Sequence, residues 1–479
     1  MNVRDLEPKI VWNHFSDLNA VPRPSKKEER VIKFMQDFGA KLALDTYTDA
    51  IGNVIIKKPA TAGMEDRQTV IIQSHLDMVH QKNSDTNFDF DTQGIEMYVD
   101  GDWVRANGTT LGADNGMGVA AIMALLSSED IAHPNIEALF TIDEETGMTG
   151  AMELEKGLLK GTILLNLDTE DDDEFSIGCA GGIDTNTTYK YAQASVIVGS
   201  QTYNIIVNGL NGGHSGVQIN EELGNANKIM NRLMYGCEEY SLQIVSINGG
   251  SLRNAIPRES FATIAATPAY LEELEQRVKD IKEEYSIQDP NLSIRVEATS
   301  QADQAMSLED TIKVTTALYA VHNGVFRYSR AIEGLVETSS SLARVIVKEG
   351  EFITQSLQRS SLESGKYDVA YTVAAPFYLM GCEVQQKGDY PGWSPNPTSP
   401  ILDILVAKYK ELFNNEEPKV MAIHAGLECG LLGKRYPGLD MISFGPTIKG
   451  AHSPDERCGI KSTAKFWMFL KEILANVPK

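Results

Sequence analysis

The feature that most constrains the fold is an alternation of short apolar runs and helical patterns over the first 186 residues. Buried strands are indicated by the runs "TVIIQSHLDMV", "IEALFTID" and "GTILLNLD". Helices are indicated by the periodic segments "EERVIKFMQDFGAKL" and "MGVAAIMALLSS". This alternation predicts an α/β fold, with a mostly parallel sheet that is flanked by helices.

Ionisable residues follow these apolar runs. His75 and Asp77 follow the apolar part of the first run, Glu144 and Glu145 follow the second run, and Asp168 ends the third. In open α/β sheets, ligands bind beyond the carboxyl ends of the strands. We therefore expect these side chains to lie at one site.

The pattern changes between residues 187 and 393. Alternating strands such as "QTYNIIVNGL" and "YSLQIVSING" occur there among helices such as "LEELEQRVKDIKEEY", which predicts an inserted α+β domain. A segment of similar order follows near "LEDTIKVTTALYAVHNG", so the domain is a candidate for a structural duplication without a strong internal repeat. The turn-rich "YPGWSPNPTSP" marks its end. Residues 1–186 and 394–479 then form the two parts of the α/β domain.

Composition excludes several classes of protein. The formal net charge of −23 argues against binding to nucleic acid or to an anionic membrane, since both require basic surfaces. No segment approaches the roughly 20 apolar residues of a membrane span, and the N-terminus lacks the pattern of a signal peptide. The five cysteines are far apart and form no C-x-x-C pair, which argues against a disulfide framework or a thiolate zinc site and fits a cytoplasmic protein.

Five side chains could form a metal centre if the fold brings them together. They are two imidazoles and three carboxylates, on His75, Asp114, Glu145, Asp168 and His452. Such a mixed nitrogen and oxygen set suits zinc, cobalt or manganese. Five ligands are too many for one open catalytic zinc, but they suit two ions if one carboxylate bridges. Asp114 is the candidate bridge, because Gly112 and Gly116 allow close approach.

Two further carboxylates have candidate roles. Asp77 is two residues from His75, so it could accept the proton on the second ring nitrogen and fix the orientation of the ring. Glu144 could act as the general base while its neighbour Glu145 faces a metal. Taken singly, each feature has an ordinary explanation, because His-x-Asp is usually a hydrogen bond and "DEE" is usually a solvated loop. Their occurrence at several strand ends of one sheet favours a joint site.

The motifs "SHLDMV", "GTTLGADNGMGVA", "TIDEETGMTGA", "NLDTED", "GGHSG" and "GAHSPDE" resemble those of a known family. It is the family of co-catalytic zinc peptidases that includes carboxypeptidase G, peptidase T and the carnosinases. Within this family, the sequences of the motifs most resemble those of the aminoacyl-histidine dipeptidases. The resemblance runs from about residue 21 to about residue 460. It implies two Zn²⁺ ions (Co²⁺ or Mn²⁺ being alternatives), one held by His75 and Asp168 and the other by Glu145 and His452, with Asp114 as the bridge.

The resemblance also implies an activity. Asp at position 168 goes with the aminopeptidase and dipeptidase members, whereas Glu goes with carboxypeptidases and deacylases. The implied function is hydrolysis of unblocked dipeptides, including those that end in histidine such as carnosine. Glu144 would be the general base, and Asp77 would contact the metal ligand His75 on the side away from the metal. The bridging Asp of this family is often followed by a cis peptide, so Asp114–Asn115 is a candidate for one.

In the inserted domain, the resemblance implies a lid that contributes to substrate binding. His214 in "NGGHSG" would stabilise the oxyanion, although a histidine between glycines is in isolation more often a turn residue. Asn254 and Arg359 would be further lid contacts, and backbone near Gly426 would receive the carboxylate of the substrate. A contact between Glu428 and the free amine of the substrate is a further hypothesis.

Three alternatives stay open. An aminotripeptidase or an N-acyl amino acid deacylase of the same family would use identical metal chemistry. A non-catalytic metal-binding protein with this fold would be expected to lack the base, yet Glu144 and all five ligands are present. For partners, we expect a small peptide substrate, no nucleic acid, no membrane, and a homodimer in which the inserted domain resembles a dimerisation domain.

Overall fold

The computed structural model describes residues 2–479, which fall into two compact units. The first unit comprises residues 2–178, Pro395–Ala422 and Leu427–Lys479, and the second unit comprises Cys179–Ser394 and Ile423–Gly426. The second unit is therefore an insertion in the sequence of the first. The sequence predicts domain boundaries after residues 186 and 393, and the main boundaries of the units follow residues 178 and 394.

The first part of the first unit alternates strands and helices. Its strands are β1 (Asp45–Thr48), β2 (Val54–Lys58), β3 (Val70–His75), β4 (Met97–Asp100), β5 (Trp103–Ala106), β6 (Ile136–Thr141), β7 (Ile163–Asn166) and β8 (Glu174–Cys179). Its α-helices are α1 (Lys9–Asn19), α2 (Glu29–Lys41), α3 (Ala113–Ser127), α4 (Glu144–Gly147) and α5 (Thr149–Glu153).

The second unit is rich in longer strands. They are β9 (Gly181–Lys190), β10 (Gln193–Ser195), β11 (Gln201–Asn208), β12 (Gly213–His214), β13 (Gln243–Gly249), β14 (Ala255–Ile256), β15 (Ser260–Ala266), β16 (Ser293–Ala298), β17 (Gln304–Met306), β18 (Gly324–Tyr328), β19 (Val336–Lys348), β20 (Glu351–Ser360) and β21 (Glu383–Tyr390). Its α-helices are α6 (Ala226–Met234), α7 (Tyr270–Glu284), α8 (Leu308–Ala320) and α9 (Glu363–Met380).

The C-terminal segment returns to the first unit. Its strands are β22 (Lys419–Ile423), β23 (Asp440–Ser443), β24 (Ile448–Lys449) and β25 (Arg457–Gly459). Its helices are α10 (Pro400–Leu412), α11 (Glu428–Arg435) and α12 (Ile460–Ala475). Short 3₁₀ helices occur elsewhere, at Val3–Asp5, Ile219–Glu221 and Glu238–Tyr240.

The main sheet of the first unit confirms the α/β prediction. Its eight strands have the order β1-β2-β6-β3-β7-β23-β8-β22. The central neighbours β6, β3, β7 and β23 pair in parallel, whereas β1, β2 and β8 add antiparallel pairs. Every residue of β3, β6 and β7 is buried, which is why their sequences are mostly apolar and do not alternate between apolar and polar residues.

The second unit is built on a nine-stranded antiparallel sheet with the order β16-β11-β15-β13-β19-β20-β9-β21, and β18 pairs with β19 beside this path. Alternate residues of β11 are buried, as expected for a sheet with one face on a core. The core contains residues of α6, α7 and α8, among them Ile229, Leu274 and Val314. The two segments of similar order in the sequence thus share one continuous sheet.

Two negative findings concern the described residues. In residues 2–479, no helix is both long enough and apolar enough to span a membrane. The five cysteines all lie in this part of the chain, are buried, and form no disulfide with one another.

Candidate metal centre

The predicted ligands lie where the central strands of the first unit end. His75 is the last residue of β3, Glu144 and Glu145 begin α4 shortly after β6, and Asp168 lies two residues beyond β7. These three strands are parallel neighbours, so their carboxyl ends meet at one edge of the sheet. The strand endings found in the sequence therefore identified residues that share this edge.

Asp114 enters the cluster from the start of α3. Gly112 precedes this helix in the left-handed conformation with φ of 69°, which glycine adopts without a steric penalty. The Asp114–Asn115 peptide is cis, which confirms the prediction from the family resemblance. The side-chain amide of Asn115 then donates to Oδ1 of Asp168 and to the carbonyl of Leu167, so this turn also holds the segment that follows β7.

His452 comes from the turn between β24 and β25 and has a positive φ of 63°. Strand β25 pairs with β5, which fixes this C-terminal turn against the first part of the same unit. The His452 side chain is 55% exposed, whereas those of His75 and Glu145 are 1% and 4% exposed. His452 is thus the most accessible member of the cluster.

The two carboxylate oxygens of Asp114 contact different histidines. Oδ1 lies 3.3 Å from Nε2 of His75, and Oδ2 lies 3.1 Å from Nε2 of His452. Oδ1 of Asp168 is 3.5 Å from Nε2 of His75, and Oε2 of Glu145 is 3.0 Å from Nε2 of His452. The five predicted ligands therefore form two groups that share Asp114.

The donor atoms of this cluster fit a divalent cation. Atoms of His75, Asp114 and Glu145 lie within 4.8 Å of one another. The second oxygen of Glu145 is buried and has no hydrogen-bond partner among the described residues, so its loss of hydration is not compensated by a protein donor. Imidazole and carboxylate together are ligands that suit zinc, manganese or cobalt.

Electrostatics in the cluster reflect an excess of negative charge. Burial raises the pKa of Glu144, Glu145 and Asp168, with the neighbouring carboxylates adding to the shift. Hydrogen bonds to Asp114 and Glu145 raise the pKa of His452 to about 11. Burial lowers the pKa of His75, but the carboxylates of Asp168, Asp114 and Asp77 outweigh it and the net shift is strongly upward.

Asp77 lies behind the cluster and has more contacts than the sequence suggested. Nδ1 of His75 is 3.2 Å from the carbonyl oxygen of Asp77 and 3.4 Å from its Oδ1. The carboxylate also accepts the backbone N–H groups of Glu144 and Glu145 at 3.0 and 3.2 Å, and the hydroxyl of Ser25 at 2.8 Å. Asp77 thus holds the His75 ring and the backbone of both glutamates at once.

Glu428 is a buried carboxylate of the first unit at the start of α11. Its Oε2 accepts hydrogen bonds from Nε2 of Gln73 at 2.6 Å and from Oγ1 of Thr141 at 2.7 Å. Burial raises its pKa to about 8, and Glu428 in turn contributes to the raised pKa of Glu144. Its two donors, Gln73 and Thr141, lie on β3 and β6, so Glu428 is located near the same edge of the sheet as the predicted ligands.

His214 lies in the second unit, on β12, where it pairs with Ala255 of β14. Its Nδ1 accepts the backbone N–H groups of Gly216 at 3.1 Å and Val217 at 3.0 Å. Since Nδ1 is an acceptor, the neutral ring carries its proton on Nε2. Burial and the nearby Arg359 lower the pKa of His214 to about 4, so the ring is a neutral hydrogen-bond donor near pH 7.

The other predicted residues of the second unit lie near this histidine or in the returning segment. Asn254 directly precedes β14, and its carbonyl accepts the N–H of Ser215 at 2.9 Å. Arg359, on β20, is buried, donates to the hydroxyl of Tyr390 at 2.8 Å and lies beside Gly216. Gly426 ends the short segment that follows β22.

Sequence inspection missed several residues that support the cluster. They are Arg23, Ser25, Gln73, Asn115, Thr141 and Glu456, which contact the ligands or their backbone. Asn115, Thr141 and Glu456 stand inside quoted motifs, Gln73 stands inside a quoted apolar run, and Arg23 and Ser25 lie where the resemblance begins. Their contacts join distant parts of the chain, so no local pattern indicated what any of them binds.

Comparison with known proteins gives concordant results. The family model described as "Peptidase family M20/M25/M40" matches residues 71–476. The chain is 41% identical over 478 residues to the cytosol non-specific dipeptidase of Escherichia coli (strain K12), a match that covers 99% of this chain and 98% of that protein.

Solved structures agree with this result. The crystal structure of an aminoacylhistidine dipeptidase from Vibrio alginolyticus matches with a TM-score of 0.93 and 42% identity, over 100% of this chain and 99% of that one. A tripeptidase from Staphylococcus aureus matches with a TM-score of 0.58 and 16% identity, over 98% and 99% of the two chains. The latter similarity concerns the fold alone.

Proposed function

We propose that this chain, which belongs to peptidase family M20/M25/M40, hydrolyses unblocked dipeptides with the aid of two zinc ions. It is a metal-dependent dipeptidase of that family. We further propose that its substrates include dipeptides that end in histidine, such as carnosine. The similarity to an aminoacylhistidine dipeptidase supports this. We also propose a cytoplasmic location, as for a relative whose name places it in the cytosol. The homodimer is a further proposal, which rests on the family resemblance alone.

The observation that carries the two-metal proposal is the divided environment of Asp114. One of its oxygens faces His75 and the other faces His452, while Asp168 pairs with His75 at 3.5 Å and Glu145 pairs with His452 at 3.0 Å. A single ion would not require two such groups. We propose that His75 and Asp168 hold one ion, Glu145 and His452 hold the other, and Asp114 bridges them.

When bound, the ions supply Lewis-acid polarisation of the scissile carbonyl and lower the pKa of the attacking water toward about 7. The protein supplies the proton transfers. Glu144 begins α4 next to Glu145, and burial raises its pKa well above the usual value for a glutamate. A carboxylate with a raised pKa is suited to accept a proton from water and then deliver it to the leaving amine.

Asp77 supports this chemistry by orientation. It binds the backbone of Glu144 and Glu145 and lies behind the His75 ring, so the base and two proposed ligands share one support. For the second unit, we propose that His214 donates to the developing oxyanion, because its neutral ring presents an Nε2–H. Contacts of Asn254, Arg359 and Gly426 with the substrate remain predictions.

The proposal is tested with a panel of small substrates. A site that binds the free amine and the free carboxylate of a dipeptide leaves polar groups unpaired with a longer or blocked substrate, a mismatch that can cost a factor of about 10⁴. We expect cleavage of free dipeptides, including carnosine, and poor cleavage of N-acetylated, C-amidated and three-residue analogues. Efficient cleavage of tripeptides or of acetylated amino acids, with dipeptides left intact, would support the aminotripeptidase or the deacylase instead.

A further inference from the structure

Two buried charged side chains outside the proposed ligand set bind the backbone of the ligand-bearing segments. Glu456 is 2% exposed and Arg23 is 1% exposed. Both belong to the first unit, but they lie at opposite ends of the sequence. Burial of a charge is costly unless it is paired or fully hydrogen-bonded, so such groups require an explanation.

Glu456 accepts hydrogen bonds from four consecutive backbone amides. Its Oε2 accepts the N–H groups of Leu111 at 2.7 Å and Gly112 at 2.9 Å, and its Oε1 accepts those of Ala113 at 2.7 Å and Asp114 at 3.2 Å. These amides lie at the start of α3, where N–H groups have no partner within the helix. The residue before the helix provides no side-chain cap, so Glu456 takes that function from a distant part of the chain.

Arg23 binds the same segment through a carbonyl. Its Nη2 donates to the carbonyl of Gly112 at 2.6 Å, and its Nη1 donates to the carbonyls of Leu76 at 3.1 Å and Asp77 at 3.2 Å. The guanidinium thereby joins the turn that carries Asp114 to the turn that follows His75. The planar fork of arginine is suited to such a multiple contact, whereas the point charge of lysine is not.

Glycine is required where Arg23 approaches. A Cβ atom at Gly112 or at Gly116 would lie 2.6 Å from Nη2 of Arg23, which is closer than real contacts allow. The glycines that flank Asp114 in the sequence thus admit the guanidinium as well as the turn itself.

We infer that Arg23 and Glu456 are positioning residues that set the spacing of His75, Asp114 and His452. Glu456 connects the His452 turn to the backbone of Asp114, and Arg23 connects that backbone to the His75 turn. A shift of Asp114 would change its distance to both histidines, because each of its oxygens faces one of them. The inference rests on the proposed metal centre and predicts that these two residues determine metal affinity without contacting the metal.

A matched control is available in the same unit. Glu137 is also a buried carboxylate, 4% exposed, and it accepts the backbone N–H groups of Lys160 at 2.7 Å and Gly161 at 3.0 Å. It lies near the beginning of β6, whereas the ligands follow the ends of β3, β6 and β7. Its Oε1 also pairs with Nζ of Lys57 at 3.1 Å. We therefore expect Glu137→Gln to disturb buried backbone amides as Glu456→Gln does, but at the opposite end of the strands from the ligands.

The experiment compares Glu456→Gln and Glu137→Gln in the full-length protein. After metal removal, zinc affinity and stoichiometry are measured by competition with a chromogenic chelator, and folding is checked by circular dichroism at the same temperature. We expect Glu456→Gln to weaken zinc binding by 10- to 100-fold, the usual effect of removing a partner behind the ligands, and Glu137→Gln to change it less than twofold. Glu456→Asp, which keeps the charge, should recover part of the loss.

Two results would overturn the inference: wild-type zinc affinity in Glu456→Gln, or an equal loss in both variants, which would indicate general destabilisation. If Glu456→Gln does not fold, Arg23→Lys decides under the same assay, with at least a tenfold loss expected and unchanged affinity counting against positioning. Failure of the wild-type protein to bind two equivalents of zinc would refute the proposed function itself, and is therefore distinguishable from these outcomes.

Discussion

The two histidines of the proposed metal centre and two histidines of the second unit have opposite electrostatic environments. In the first unit, His75 and His452 face carboxylates, and their pKa values are raised, to about 11 for His452. In the second unit, burial and Arg359 lower the pKa of His214 to about 4 and that of His424 to about 3. The same side chain is thus placed among negative groups in one unit and beside a positive group in the other.

This difference teaches that the neighbours of an imidazole, and not its sequence motif, determine what the ring can bind. The first environment attracts positive charge, whether a proton or a metal ion. The second keeps the ring neutral, and the amides that bind Nδ1 of His214 leave Nε2–H as a donor for a partly negative oxygen. In the sequence, "SHLDMV" and "GGHSG" are equally plausible as functional histidine motifs. In the structure, the surroundings of His75 favour a cation, whereas those of His214 favour a partly negative oxygen.

The strongest test of the cation-attracting environment is Asp114→Ala. Because Asp114 faces both histidines, we expect this variant to lose both zinc ions and all measurable turnover. Elemental analysis after dialysis measures the zinc. Asp289→Ala is the control, since Asp289 is a buried carboxylate of the second unit that binds the amides of Asn211 and Gly224. Two tightly bound equivalents of zinc in Asp114→Ala would mean that the bridge is assigned wrongly.

Glu144→Gln separates proton transfer from metal binding. We expect turnover to fall by roughly 10²- to 10⁴-fold, since the amide cannot accept a proton from water, while zinc content is unchanged. Glu145→Ala should instead weaken one zinc ion, because its carboxylate faces His452. Turnover and zinc affinity are measured for both variants. If Glu144→Gln lost zinc and Glu145→Ala kept it but lost turnover, the roles of the two glutamates would be the reverse of those proposed.

His214→Ala tests the second environment. Removal of one donor to an oxyanion lowers turnover by about 10²- to 10³-fold in known enzymes, and we expect a loss of that order with zinc affinity unchanged. The predicted lid function concerns turnover and not metal content, so kcat and zinc titration are measured on the same preparation. A variant with normal kcat would leave His214 as a turn residue only.

The smallest expected effect is a pH dependence of stability from His424. Its folded pKa of about 3 lies below the value near 6.5 of an unfolded histidine, so the unfolded chain binds more protons between these values. The stabilising contribution is therefore present above pH 6.5 and is lost as pH falls. In metal-free protein, the loss of stability from pH 7.5 to 5 should be smaller in His424→Asn than in wild type by roughly 1–2 kcal/mol, as measured by urea unfolding.

The comparison with wild type is necessary in that experiment, because the raised pKa values of His75 and His452 act with the opposite sign. Their charged forms are favoured in the folded state, so their stabilising contribution is complete below pH 6.5 and is lost as pH rises toward their folded pKa values. They are common to both proteins and cancel in the difference. An identical pH dependence in the two proteins would contradict a lowered pKa for His424.

Much of the fold was accessible from sequence because its signals are local. Apolar runs predicted β3, β6 and β7 and the parallel centre of the sheet, and the residues at their ends predicted which side chains share an edge. The cis Asp114–Asn115 peptide was predicted from the resemblance and is confirmed. The roles of the ligands and of the base remain predictions, although the residues lie together.

Other features could not be predicted because their signals are not local. Glu456 binds amides more than 340 positions earlier in the chain, and neither segment contains a pattern that names its partner. The four residues Ile423–Gly426 belong to the second unit although they lie within an otherwise α/β segment, and such a short return has no compositional signature. Strand order in the antiparallel sheet depends on long-range pairing in the same way.

The pairing of β23 with β7 has a consequence for the order of events during synthesis. Residues 440–443 join a sheet whose other central strands are complete by residue 166, and the whole second unit is translated in between. On the ribosome, that unit therefore emerges and folds while the first sheet still lacks a central strand. His452 and Glu456 emerge later still. We expect the nascent chain to lack the complete set of proposed ligands until His452 has emerged from the ribosome.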